Sequence, residues 1–407
     1  MNYKNIAQEK VDAIMPKLIA LSDKIWNNPE YNFEEYIACE SFSSLLNEFG
    51  LEVKTGLSGL KTACKGTYSS GKPGLHIGFL GEYDAVPGMG HACGHNLMAA
   101  MAVGAGAALK SVIDDLGGTV TVFGTPAEEG GGGKVIMLEN GAFNGLDAAM
   151  IIHSANETVI NDISYSKTDV IVDFYGKKSH AATWPEEGIS ALTPVLELFN
   201  ILNAMRLEIA DRGKILGIIT KGGDDPIMIP DHCQAKFTVR SFDMKYKIEL
   251  LNRLVNVCES LAKATQTKFE YKIDSYSYED IRNNPVIENL LADNFTELGE
   301  KVMPRRRELG IGTTDVGNLT HKIPALQSYV KVVPYLRGHT PEFEEAVGGP
   351  QGHRAIMVGA KAMAMTAVDI LSDPKKYDEI IEAFNDMKEK NQWEEQYDRN
   401  SASGEQS

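Results

Sequence analysis

Leu75-His76-Ile77-Gly78-Phe79-Leu80 runs without a break into Gly81-Glu82-Tyr83-Asp84-Ala85-Val86-Pro87, and then into Gly90-His91-Ala92-Cys93-Gly94-His95-Asn96. The first six residues are apolar and of strand length. From Asn96 to Ile113 the chain is rich in Ala, Gly and Met and apolar on nearly every face, which predicts a buried helix. A short strand, a polar loop and a buried helix make the repeating unit of a parallel sheet. Residues 119–123 (TVTVF) and 148–152 (AAMII) read as further strands of that kind. The fold class expected is therefore α/β, a mostly parallel sheet covered by helices on both faces.

Upstream, Val11, Ile14, Leu18, Leu21 and Ile25 recur at helical spacing; Pro29-Glu30 interrupts, and Ile37, Phe42, Leu45 and Leu46 begin a second helix. Downstream the rhythm changes. Residues 170–175, 215–220 and 235–240 look like antiparallel strands, with helical patterns over 191–209 and 247–265. After Asn283-Asn284-Pro285 the α/β pattern resumes with a helix at 286–298, a strand at 325–333 and a second Ala/Met-rich helix at 355–371. The expected organisation is an α/β domain over 1–165 and 284–393, interrupted by an inserted α+β domain over 166–283, with a polar and disordered tail over 394–407.

Composition narrows the function. The 407 residues carry 56 acidic and 40 basic side chains, a net charge of -16, which disfavours nucleic acid as a partner. The longest uncharged apolar stretch, 97–109, falls short of the roughly 20 residues of a membrane span, so no membrane partner is expected. The N-terminus has no basic start followed by an apolar run. Cys39, Cys64, Cys93, Cys233 and Cys258 are scattered, without a CxxC pair, so a reducing cytoplasm is the expected location.

Four segments carry chemistry. Cys93 and His95 sit where a loop becomes a helix, and unpaired N–H groups there favour a thiolate. A thiolate and an imidazole flanking Gly94 suit a divalent metal, although a buried cysteine beside a core histidine gives the same letters. Strand TVTVF runs into Gly124-Thr125-Pro126-Ala127-Glu128-Glu129 and four glycines. Adjacent carboxylates after a buried strand are unfavourable unless a positive charge lies beside them; one can bind metal while the other takes a proton from water. Acids decorating a helix N-terminus would also give this pattern. Strand AAMII leads to His153-Ser154, and the fourth segment is His339-Thr340-Pro341-Glu342-Phe343. All follow predicted strands, and open α/β sheets bind ligands outside the carboxyl ends of their strands.

Six motifs, in order, resemble one family: GEYDAVPGMGHACGHN, GTPAEEGGGG, IIHS, KKSHAATWPEEGISAL, GTTDVGN and GHTPEF. The chain is similar to the aminoacylase/carboxypeptidase-type di-metal peptidases, in the amidohydrolase branch that includes aminobenzoyl-glutamate hydrolases, Xaa-Arg dipeptidases and auxin-amide hydrolases. The resemblance implies a metal-dependent amidohydrolase that cleaves a small N-acyl amino acid or dipeptide. It implies two divalent ions, zinc or manganese, held by Cys93, His95, Glu129, His153 and His339, with Glu128 as the general base for the metal-held hydroxide. It gives Asp84 a role in orienting a ligand, His180 a role in steadying the oxyanion from the inserted lid, and Arg240 a role in holding substrate. It also implies a homodimer formed through that lid.

One departure stands out. Ile227 or Met228 occupies the place where the family carries a substrate-contacting asparagine, which puts the substrate in question. Asp224-Asp225 nearby fits either a basic substrate or a solvated turn. Arg305-Arg306-Arg307 reads as a solvated basic loop, and Asp315 as a residue near a helix N-cap. Two other readings stay open: a catalytically weak partner subunit, and an aromatic-amine deaminase using the same metals.

Overall fold

The computed structural model describes residues 2–160, 162–209, 212–304 and 312–389. The expected polar tail and the Arg305–Arg307 run lie outside them. The described chain forms two compact units, one built from residues up to Ile163 and from Ile281 onward, the other spanning Ser164–Asp280.

The first unit opens with helices α1 (Tyr3–Trp26) and α2 (Tyr36–Glu48) and strands β1 (Glu52–Thr55), β2 (Cys64–Ser69) and β3 (His76–Glu82). Then come α3 (His95–Leu116), β4 (Thr119–Thr125), α4 (Gly133–Glu139), β5 (Ala148–Ala155) and β6 (Thr158–Ile160). The second unit holds β7 (Ser166–Tyr175), β8 (Ser179–His180), α5 (Leu192–Ile209), β9 (Gly213–Lys221), β10 (Met228–Ile229), β11 (His232–Ser241), α6 (Met244–Thr265) and β12 (Lys268–Ile273). The first unit resumes with α7 (Pro285–Glu297), β13 (Val302–Pro304), α8 (Val316–Thr320), β14 (Ala325–Lys331), α9 (Pro341–Val347), α10 (Pro350–Ser372) and α11 (Pro374–Glu389).

The large sheet runs β1-β2-β4-β3-β5-β14-β6-β13. Its centre, β4-β3-β5-β14, is wholly parallel, whereas β1 and β2 attach antiparallel at one end. Period-2 alternation assigns each strand residue to a face. Ile77, Phe79, Val120, Val122, Met150, Ile152, Leu326 and Val330 point into the core shared with α1, α3 and α10. Leu80, Phe123, Ala149, Ile151 and Ala325 point into the opposite core, with Val316 and Leu319 of α8. Both faces are thus covered, which explains why these strands read as continuous apolar runs.

Helix α3 is the innermost element. A side chain at Gly106 would lie 2.1 Å from Val122 Cγ2, so the helix backbone packs directly against a strand side chain. Helices α3 and α10 are each long and apolar enough to cross a membrane, and both are mostly buried inside the fold. In the second unit, β12-β7-β11-β9 is an antiparallel sheet whose apolar face, including Val170, Val172, Phe237 and Val239, joins a core with Val195, Leu198, Leu250 and Leu254 of α5 and α6.

Candidate metal centre

Because β3, β4, β5 and β14 run parallel, their carboxyl ends gather functional loops along one edge of the sheet. Glu82 closes β3 opposite Thr125 of β4, and the turn after Thr125 carries Glu128 and Glu129. His153 lies within β5 rather than just past it, paired in register with Tyr329 of β14. Cys93 and His95 flank Gly94, whose φ of 81° and whose approach to Ser154 Oγ, 2.1 Å from an added Cβ, admit only glycine. His339 is anchored by its N–H to Ala92 O at 2.8 Å.

The imidazoles of buried His95 and half-buried His153 are set by the same device. His95 Nδ1 donates to Asp84, 2.9 Å from its carbonyl oxygen and 3.1 Å from Oδ1. His153 Nδ1 donates to the Ser154 carbonyl at 2.7 Å. Nδ1 is thus engaged in both rings, and Nε2 is the atom each presents to the cluster. His153 Nε2 lies 3.3 Å from Cys93 Sγ. His95 Nε2 is fully buried and makes no hydrogen bond among the described residues, with Glu82 Oε2 3.3 Å away. Asp84 uses its other oxygen as well: Oδ2 accepts the Glu129 N–H at 2.9 Å. One carboxylate thus fixes the orientation of two donors.

Three donor groups result: Cys93 with His95 and His153; Cys93 with Glu129 and His339; His95 with Glu128 and Glu129. Within each group the ligating atoms lie within 4.8 Å of one another. The groups share Cys93, His95 and Glu129, so they form one connected donor set. Thiolate, imidazole and carboxylate are donors that divalent transition metals accept.

The electrostatics fit a cation. Desolvation pushes the Cys93 thiol far up, and the neighbouring His95 offsets only part of this, so a thiolate here requires more positive charge. Burial and the charge of His95 hold His153 down at about 4, a neutral imidazole at physiological pH. Burial, then the charges of Glu82, Glu129 and Asp315, push Glu128 well above the carboxylate range. Burial pushes Glu129 in the same direction, but a hydrogen bond from His339 and the charge of His95 outweigh it and leave its carboxyl low. Two adjacent glutamates are thereby driven apart in proton affinity, the division of labour expected of an acid–base and a ligand.

The backbone is strained here too. Ala127 (φ 57°) and His339 (φ 61°) are left-handed without being glycine, a conformation that persists at sites where surrounding contacts hold it.

The sequence profile of peptidase family M20/M25/M40 matches residues 78–369, from β3 into α10. The chain belongs to this family. It is accordingly a hydrolase of C–N amide or peptide bonds. The chain is 31% identical to Xaa-Arg dipeptidase of Mus musculus over 399 residues, covering 94% of this chain and 92% of that protein. It is 28% identical to one of the subunits of the p-aminobenzoyl-glutamate hydrolase of Escherichia coli over 312 residues, 72% of this chain and 64% of that one. A dinuclear metal-binding M20 peptidase of Bacillus subtilis superposes with a TM-score of 0.70 at 21% identity, over 89% of this chain and 99% of the other, and so shares the fold.

The structure brings six of the expected residues, Cys93, His95, Glu128, Glu129, His153 and His339, into one cluster, with Asp84 hydrogen-bonded to His95 and to the Glu129 backbone. His180 and Arg240 lie in the second unit. There β8 pairs with β10, placing Met228 opposite His180 in register. Asp225 Oδ1 accepts the Ile227 N–H at 3.0 Å within a local turn, and exposed Asp224 lies 3.5 Å from Lys178 Nζ. His91 is buried and joins none of the three donor groups.

One cluster escaped sequence reasoning. Lys134 of α4, fully buried, bridges Glu82 Oε1 at 2.6 Å and Asp315 Oδ1 at 2.5 Å. Asp315 does occupy the N-cap position of α8, but its side chain makes no cap bond; Oδ2 instead accepts the Lys134 N–H at 2.9 Å. The ammonium neutralises carboxylates that flank the donor groups. Lys134→Met leaves two buried carboxylates uncompensated and is expected to destabilise the protein by about 3–5 kcal/mol, measurable by denaturant titration.

Proposed function

We propose that this M20 peptidase is a two-metal dipeptidase, cleaving a dipeptide or a closely related N-acyl amino acid. The observation that carries the reading is the connected donor set of Cys93, His95, Glu129, His153 and His339 next to a buried glutamate of raised proton affinity. The long alignment with a Xaa-Arg dipeptidase supports a dipeptide, and the dinuclear centre of the Bacillus subtilis neighbour supports two ions. The thiolate favours zinc, and the remaining donors also accept manganese.

When bound, the metals supply Lewis-acid polarisation of the scissile carbonyl and water of lowered pKa. The protein does the rest. Glu128 accepts the proton of the attacking water and delivers it to the departing amine nitrogen. Asp84 holds His95 and the Glu129 backbone in place. His180 is assigned the oxyanion donor. Its Nδ1 accepts the N–H groups of Ala182 and Thr183 at 3.3 and 3.2 Å, which puts the proton on Nε2, ready to donate. Arg240 is assigned the substrate carboxylate; its Nε is buried without a hydrogen bond among the described residues.

The proposal extends to the inserted unit as lid and dimerisation module. Strand β9 forms an edge of its sheet and exposes Leu216, Ile218 and Ile219 at 47%, 62% and 42%, an apolar edge that a second copy would cover. A cytoplasmic location agrees with five free cysteines.

The test is amino-acid release from a panel of dipeptides, N-acyl amino acids and aminobenzoyl-glutamate, with manganese, with zinc and with chelator. Chelator-sensitive cleavage of dipeptides is the expected result. Cleavage confined to aminobenzoyl-glutamate moves the substrate assignment, and no release with either metal sinks it.

A further inference from the structure

The carboxylate of Glu35 is completely buried, yet it is neither in the metal cluster nor used as a helix cap. The first N–H groups of α2, the helix it precedes, are satisfied from elsewhere: Glu30 accepts those of Ile37 and Ala38, each at 3.0 Å. Glu35 turns instead towards the loop after β4. Its Oε1 accepts two backbone N–H groups, from Phe33 at 3.0 Å and from Ala127 at 3.0 Å.

Both donors are unusual. Phe33 (φ 69°) and Ala127 (φ 57°) are left-handed non-glycine residues, and Asn32 (φ 34°) beside Phe33 is also positive. Such backbone persists only where contacts over-determine it. The two loops meet at close quarters: a side chain added at Gly131 would lie 2.5 Å from the Phe33 ring and 2.6 Å from Ala127 Cβ. The Ala127 carbonyl accepts the N–H groups of Gly131 and Gly132 at 3.0 and 2.9 Å, which closes the turn that presents Glu128 and Glu129.

We propose that Glu35 is a positioning residue for the acid–base pair: one buried oxygen ties the N-terminal loop to Ala127 and holds that residue left-handed, aiming Glu128 and Glu129. The inference rests on the hydrolase reading above, in which Glu128 moves the proton. A carboxylate at this dry position is otherwise unfavourable, because nothing cationic pairs with it in the contacts described.

The position of the accepting oxygen, rather than the charge, is what the proposal requires. Glu35→Gln keeps that oxygen and is expected to retain near-wild-type kcat. Glu35→Asp keeps the charge but withdraws the oxygen, and Glu35→Met removes it; both are expected to lower kcat, the latter about 100-fold, with KM little changed. Ala127→Gly placed in the Glu35→Met background is expected to recover much of the loss, because glycine adopts the left-handed conformation unaided. Rates would be measured on the full chain, metal-loaded, with alanyl-arginine. Hydrogen exchange of the peptide covering residues 123–133 would be followed in the same variants, with faster exchange expected in Glu35→Met.

Aspartate performing as well as glutamine, or no recovery on adding Ala127→Gly, would overturn the proposal. Should Glu35→Met fail to fold, the glutamine–aspartate ordering still decides it. An inactive wild type would count against the hydrolase reading alone, and the exchange comparison would then judge the brace.

Discussion

Glu128→Gln is expected to lower turnover by about a thousandfold while bound metal stays unchanged. The amide matches the carboxylate in size, so the buried site keeps its packing. What it loses is the ability to accept a proton. Metal should remain because Cys93, His95, Glu129, His153 and His339 supply donors without it. The outcome has force because Glu128 also belongs to one of the donor groups, with His95 and Glu129. Metal content by plasma mass spectrometry separates the two roles. Full metal with lost turnover marks a base; loss of an equivalent of metal would reassign Glu128 as a ligand.

His153→Ala carries the second large effect, in the opposite pattern. It removes a neutral imidazole whose Nε2 faces Cys93 Sγ at 3.3 Å. Metal affinity is expected to fall by more than the roughly 10- to 100-fold typical of changes behind the ligands, with activity falling alongside. Tyr329→Phe is the control. Its ring lies 5.3 Å from that of His153 and is retained, so metal content should hold. If His153→Ala bound metal normally, the group formed with Cys93 and His95 would not be a ligand set.

Much of this was legible before any coordinates. Cys93, His95, Glu128, Glu129, His153 and His339 each follow or lie in a strand of the parallel sheet, and chemistry-bearing side chains at such places are visible in a linear sequence. The Lys134 bridge was not, because its meaning lies in partners 52 residues upstream and 181 downstream, at Glu82 and Asp315. The position of Asp315 at a helix start was readable, whereas the direction of its side chain was not. Glu35 was hidden for a similar reason: it resembles an ordinary acid before a helix until Glu30 is seen capping that helix. Among the elements, β2 (CKGTYS) lacks an apolar alternation and does not announce itself, since it owes its place to its neighbours.

The order of strands in the large sheet also bears on how the protein is made. Strand β5 ends at Ala155, and its parallel partner β14 begins only at Ala325. At about 5–20 residues per second, the roughly 170 intervening residues take about 10–30 s to synthesise. For that interval one side of β5 has no strand to pair with, while the whole of Ser164–Asp280 emerges contiguous and can fold first. The nascent chain therefore carries an apolar strand, Ala148–Ile152, with one edge unpaired for many seconds on the ribosome. That window is where chaperone capture or aggregation during overexpression would begin.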